Sequence, residues 1–254
     1  MICAMSEFTI EIAGRRVGVT ACHELAQEFR RDYLCDGQPY FAVATTQADI
    51  DWEREISRRE SELEGLPLPN YSDGYLEITA VQRKIAERLL QFDIILFHGS
   101  VIGVDGECYL FTAQSGPGKS THTRLWRELL GERAVMVNDD KPFLHVADGT
   151  VTAYGSPWNG KHHLGSNIQV PLKAIYILER GEDNSIVPVT TKEALPMLVQ
   201  QSHRPADRRL MGKYLELLDC LADSVVFYRL RCNTDPHAAV VSYEAMSGEC
   251  ISNI

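Results

Sequence analysis

The chain has 254 residues, 44% of them hydrophobic and 24% charged, which is enough to bury a sizeable core as one domain or two. Its net charge of −10 argues against a general binder of nucleic acid or of an anionic membrane, though not against a small anion held by local groups. Seven widely spaced cysteines, with no Cys-x-x-Cys or zinc spacing, read as reduced thiols; with no signal-peptide pattern and no bilayer-length apolar run, a cytoplasmic protein is expected.

Phe8–Ile12 and Val17–Thr20 alternate in hydropathy around Gly14, Arg15 and Arg16 and predict a β-hairpin. Leu25, Phe29 and Leu34 recur at helical spacing and predict a helix over Cys22–Tyr33, which Asp36–Pro39 breaks. Phe41–Thr45 predicts a short strand. Asp49–Leu63 predicts a solvated helix whose Glu53, Arg54, Arg58, Arg59 and Glu60 form a wet face. Gly65–Gly74 holds two prolines and a Ser-Asp-Gly and suits an exposed boundary. It suggests an accessory α/β segment over residues 1–75 and a larger domain over 76–254. Leu76–Leu90 predicts an amphipathic helix.

Asp93–Val104 then predicts one long apolar strand, Asp105-Gly106 a tight hairpin turn, and Glu107–Thr112 the return strand. That strand runs into Ala113–Thr121, sequence AQSGPGKST, which fits the phosphate-binding loop pattern with alanine at its first position. Gly116 and Gly118 let the backbone turn so that successive N–H groups point at phosphate oxygens. Lys119 adds a point charge, Ser120 a hydroxyl for Mg²⁺, and the helix predicted over Lys119–Leu130 its N-terminal dipole. Ala134–Val137 predicts the next strand, ending in Asn138-Asp139-Asp140. A strand–helix–strand crossover brings that end beside the loop, where carboxylates can serve Mg²⁺ or take a proton. The alternative is an Asx turn capping the strand.

Further strands are expected at Phe143–Ala147, Val151–Tyr154, Ala174–Leu178, Ile186–Val189 and Val225–Leu230, and helices at Lys192–Ser202, Ala206–Leu221 and Pro236–Met246. The hairpin signals around the loop imply an α/β fold whose mixed sheet is largely antiparallel, with one strand–loop–helix–strand unit inside it.

The run from Phe97-His98-Gly99 through the loop to Val137-Asn138-Asp139-Asp140 resembles the catalytic core of HPr kinase/phosphorylase. More broadly it is similar to the phosphoenolpyruvate carboxykinase-like superfamily, with its small stand-alone serine and peptide kinases. The likeness covers roughly residues 94–142. It implies ATP and Mg²⁺ as ligands and phosphoryl transfer to a hydroxyl, often a serine. Carried over by residue, it implies that Ser115, Gly116, Pro117, Gly118, Lys119, Ser120 and Thr121 hold the triphosphate. Ser120 and Asp140 would serve the metal, Asp139 would be the general base, and His98 would orient it. His98 alone on an apolar strand would equally be a core histidine. The glycine-rich signature that serves phosphorolysis is missing, which puts phosphorylase activity and HPr as acceptor in doubt.

In its place stands Gly155-Ser-Pro-Trp-Asn-Gly-Lys161-His-His-Leu-Gly165, similar to what the small kinase-like members carry. Lys161 is a candidate to meet the γ-phosphate, and Trp158 to pack on a ligand or in the core. His162 and His163 are given no metal, since neighbours on a strand point oppositely. Arg204 is a candidate contact to an acidic acceptor or a phosphate. The expected function is an ATP/Mg²⁺-dependent kinase acting on a hydroxyl of a peptide, protein or small molecule, with no nucleic-acid or membrane partner and homo-oligomerisation left open. A carboxykinase-like enzyme and a nucleotide-binding module with little turnover are the alternatives.

Overall fold

The structure is a computed structural model and describes residues 6–24, 27, 31–114 and 118–248. Its contacts divide the chain between Leu89 and Leu90 into two units.

In the first unit β1 (Ser6–Ile12) and β2 (Arg15–Ala21) pair antiparallel. Ala13 and Gly14, both at positive φ, make a two-residue turn, one position earlier than the glycine–arginine turn expected. Leu25 and Phe29 of the expected helix lie outside the described residues; Arg31–Tyr33 is a single 3₁₀ turn. β3 (Phe41–Ala44) adds parallel to β2. Helix α1 (Gln47–Glu64) starts from a capping box between Thr46 and Asp49 and stops at Gly65 in the left-handed conformation. Its charged face is not wholly wet. Glu53 is buried because Arg83 of α2 (Asp73–Leu89) donates Nε–H to its carboxylate at 2.7 Å. A period-3.6 pattern cannot show a partner thirty residues away. From α2, Glu77 is wholly buried under the sheet. Its carboxylate accepts from the backbone N–H of Cys22 (2.6 Å) and His23 (2.9 Å) and from the Thr45 hydroxyl. One carboxylate thus ties the ends of β2 and β3 to the helix.

The second unit is a mixed sheet between two helical layers. Its elements are β4 (Ile94–Leu96), β5 (Ser100–Val104), β6 (Glu107–Thr112), α3 (Lys119–Leu130), β7 (Ala134–Asn138), β8 (Phe143–Ala147), β9 (Thr150–Tyr154) and β10 (Gln169–Arg180). They continue with β11 (Ser185–Val189), α4 (Thr191–Gln201), α5 (Met211–Ser224), β12 (Val226–Cys232) and α6 (His237–Ser247). The strands run β4-β8-β9-β10-β6-β5-β7, with β12 also on β10 and β11 on β12. Pairing is antiparallel except where β10 meets β6 and β12. This is the largely antiparallel mixed sheet expected.

The stretch expected as one strand over Asp93–Val104 is two. β4 pairs with β8, whereas β5 pairs with β6 and β7. The break falls at His98-Gly99, where the chain leaves one partner for another. Glycine is required there by space: a Cβ on Gly99 would lie 2.8 Å from Leu110 Cδ2 and 3.1 Å from the Phe111 carbonyl oxygen. Helix α5 also starts later than expected, after a 3₁₀ turn at Arg208–Leu210.

β6 shows why the sheet is covered on both sides. Cys108 and Leu110 join a core with Leu198 of α4 and Tyr214, Leu217 and Leu221 of α5. Tyr109 and Phe111 join another with Leu125 and Trp126 of α3 and Tyr243 of α6. No described helix is long and apolar enough to cross a membrane.

Candidate active site

β5 lies between β6 and β7 and is antiparallel to both, so β6–α3–β7 is a crossover that steps over one strand. The carboxyl ends of β6 and β7 therefore fall at the same edge of the sheet. Three ties draw the surrounding segments together there. The Gly99 N–H donates to the Asp140 carbonyl (3.0 Å), the His98 N–H to the Gln201 carbonyl at the end of α4 (2.7 Å), and the Thr112 hydroxyl to the His98 carbonyl (3.0 Å). Asp140 and His98 are thus fixed beside the strand that feeds the loop.

The side chains meet as well. His98 Nε2 stands 3.2 Å from Asp140 Oδ1, and Lys141 Nζ is 4.0 Å from the same oxygen. The imidazole is 40% exposed, so His98 is not the core histidine its apolar flanks allowed. Burial pushes the Asp140 carboxyl up, but His98, Lys141 and Lys119 outweigh it and hold it below the usual range. The bond to Asp140 raises His98, yet burial and the two lysines prevail and lower it. Burial lowers Lys119, Asp140 opposes that, and Lys141 adds to it.

Asp139 is more deeply placed, 6% exposed, and its Oδ1 accepts the Gly160 N–H at 2.8 Å. The turn that positions both acids is made by Asn138, wholly buried. Its Oδ1 accepts from the backbone N–H of Asp140 (2.9 Å) and Lys141 (2.6 Å), and its Nδ2 donates to the Ser156 carbonyl (3.1 Å). Ser156 in turn donates to the Lys141 carbonyl (2.6 Å). The Asx turn offered as the alternative is thus real, and Asn138 makes it. Asn138, Lys141 and Ser156 are the residues that reading by motif missed; the only signal was an asparagine two places before Asp140.

The remaining candidates fall out as follows. Ser115, Gly116 and Pro117 lie outside the described residues. Gly118 precedes α3, Lys119 and Thr121 are half-buried on its first turn, and Ser120 is exposed there. Trp158 is buried, edge-on to Phe143 at 6.1 Å, which is the core placement. Lys161 is exposed on the loop that reaches Asp139 through Gly160. Arg204 is exposed three residues past the end of α4, with no ion pair among the described residues.

On the other side of the α3 start, a cavity of about 580 Å³ opens between Gly118 and Thr121 and the carboxyl ends of β10 and β12. Its lining is largely apolar. His122 also lines it, and burial pushes that imidazole down to about 4. Among the described residues no three His, Cys, Asp or Glu side chains form a metal cluster. The oxygens of Ser120 and Asp140 are hard donors, the type Mg²⁺ takes.

No protein-family model matches the chain, and no curated protein matches it. Among solved structures it is similar to the HPr(Ser) kinase/phosphatase from Coxiella burnetii. The identity is 12%, the match covers 48% of this chain and 86% of that one, and the TM-score is 0.28, too low to carry an argument.

Proposed function

We propose that the chain is an ATP- and Mg²⁺-dependent phosphotransferase that moves the γ-phosphoryl group to a hydroxyl acceptor, a serine of a peptide or protein or a small hydroxyl compound. One arrangement carries this: Lys119 starts the helix that leaves the carboxyl end of β6, and the carboxyl end of β7, with Asp140 at 3.2 Å from His98 Nε2, lies at the same edge of the sheet. A loop lysine has no need of an acid pair to bind phosphate, and an acid pair has no need of a loop lysine to cap a strand.

In this reading the α3 N-terminus and Lys119 hold the phosphates, and Ser120 and Asp140 would hold Mg²⁺, which would supply neutralisation of phosphate charge. Asp139, kept in place by Gly160 N–H, accepts the acceptor's proton through its other oxygen. The acceptor oxygen bonds to phosphorus, the bond from phosphorus to the β–γ bridging oxygen breaks, and ADP leaves. His98, donating to Asp140, fixes that carboxylate's orientation. Lys161, exposed on the loop that reaches Asp139 through Gly160, meets charge on the moving phosphoryl group, and Arg204 contacts an acidic acceptor.

The test is direct. Mg·ATP should raise the melting temperature, Lys119→Ala should abolish the rise, and label from γ-³²P-ATP should leave the nucleotide in wild type only. A melting temperature indifferent to Mg·ATP defeats the proposal. Binding without any transfer to acceptor or water leaves the nucleotide-binding module.

A further inference from the structure

We infer that the turn Gly160–His163 docks the acceptor, and that the acceptor is a serine-bearing peptide segment with carboxylates within three residues of the reactive hydroxyl. This rests on the phosphotransferase reading above.

The turn is fixed against the base. The Gly160 N–H donates to Asp139 Oδ1 at 2.8 Å, and the His163 N–H closes the turn on the Gly160 carbonyl at 3.0 Å. The backbone of His162 and His163 therefore lies within about 10 Å of the Asp139 carboxylate, the reach of three extended residues. Asn138 Nδ2 donates to the Ser156 carbonyl and Ser156 Oγ to the Lys141 carbonyl, so the loop that carries the turn and the strand end that carries the acids are tied together. The tip of this anchored loop is nevertheless exposed at Lys161, His162 and His163. His163 stands at φ 49°, where glycine fits more readily. A firmly held turn that keeps a histidine at such a position presents its side chains for contact.

The chemistry of the tip selects charge. No Asp or Glu stands between Asp148 and Glu179, in a chain that has 35 of them. Lys161 makes no ion pair among the described residues, and its charge repels a cationic segment. The imidazoles of His162 and His163 offer N–H donors to a carboxylate. Lys119 and Lys141 already act on Asp140, so the turn supplies the cation left over for an acceptor. The rim around the acids is also open. The side chains of His98, Asp140 and Lys141 are 30–40% exposed, and the 580 Å³ cavity takes in none of them. A length of chain can lie across such a rim, whereas a small molecule is held where it is enclosed.

The experiment measures transfer of label from γ-³²P-ATP to serine peptides of equal length. One carries glutamates within three residues of the serine, one glutamines there, one lysines there, and one its glutamates six residues away. Wild type should use the first with kcat/KM about three- to tenfold above the glutamine peptide and the lysine peptide worst. The displaced glutamates should give no advantage, and about 0.5 M salt should shrink the preference. His162→Glu with His163→Asp keeps a residue that tolerates positive φ and should turn the preference toward lysine; His162→Asn with His163→Asn keeps N–H donors and should retain it. The inference is overturned if wild type does not discriminate among the peptides, if the charge-reversed variant still prefers acids, or if label reaches free serine but none of the peptides. The wild-type comparison decides even where a variant fails to fold. A melting temperature that Mg·ATP leaves unmoved sinks the phosphotransferase reading instead.

Discussion

Asp139→Asn separates chemistry from architecture at the acid pair. The replacement is isosteric, and its Oδ1 can still accept the Gly160 N–H now made at 2.8 Å. What changes is the charge. A charge-assisted hydrogen bond becomes a neutral one, a loss of about 1 kcal/mol, partly offset because a largely buried charge is no longer desolvated. For a unit of this size the melting temperature should fall by no more than about 4 °C. The stabilisation by Mg·ATP should persist, since neither the loop nor Asp140 is touched. Transfer of label from γ-³²P-ATP, to a hydroxyl acceptor or to water, should drop by about 10²- to 10⁴-fold, the usual worth of a general base. Asp140→Asn should do the opposite, weakening the Mg·ATP shift itself. A variant at 139 that transfers label within about threefold of wild type refutes the assignment of the base. A fall in melting temperature well beyond the figure above would make Asp139 an architectural residue.

Three other outcomes follow from the geometry. Glu77→Ala should destabilise the first unit by about 3 kcal/mol in urea unfolding, because the Cys22 and His23 N–H groups and the Thr45 hydroxyl lose their buried acceptor. Burial raises this carboxyl, but those bonds outweigh it and hold it below its usual 4.5. Its contribution is therefore complete above that pH and is lost as the pH falls through the depressed native value, a step Glu77→Gln should lack. Gly99→Ala should cost about 1–3 kcal/mol, since the new methyl meets Leu110 and a carbonyl oxygen at under van der Waals distance; a neutral effect would mean the strand break is not set by space. Chelating divalent cations should remove most of the ATP-induced rise in melting temperature; a full rise in EDTA would take Ser120 and Asp140 out of metal binding.

The hairpins were legible because their turns were. Asp105-Gly106 and Asp148-Gly149 carry the positive φ angles that aspartate and glycine tolerate, and the strands on either side follow in register. The helices expected from Lys119 and from Lys192 start within a residue of those positions. What misled was continuity of hydropathy. Asp93–Val104 looked like one strand because every residue from Ile94 to Phe97 and from Val101 to Val104 other than Gly103 is apolar. Composition does not record that β4 and β5 have different neighbours. Glu53 was misread for a related reason: a charge on a helix looks solvated until the helix carrying Arg83 is laid against it.

The site divides along the same line. Residues that act through their backbone turn or formal charge, such as Lys119, Asp139 and Asp140, stand out in a motif, because the loop and the acid pair need those types at those places. Residues that act by holding others do not. Asn138 looks like turn filler, yet it fixes the geometry of the next three residues and anchors the glycine-rich loop through Ser156. Lys141 is one more lysine on a chain of net charge −10, yet it is the second cation on Asp140. That placement has a consequence. Lys119 and Lys141 both act on one carboxylate, and the two aspartates balance the two lysines, so in the proposed reading an anionic tail is held by backbone N–H groups at the start of α3 and by the metal rather than by a surplus of local positive charge.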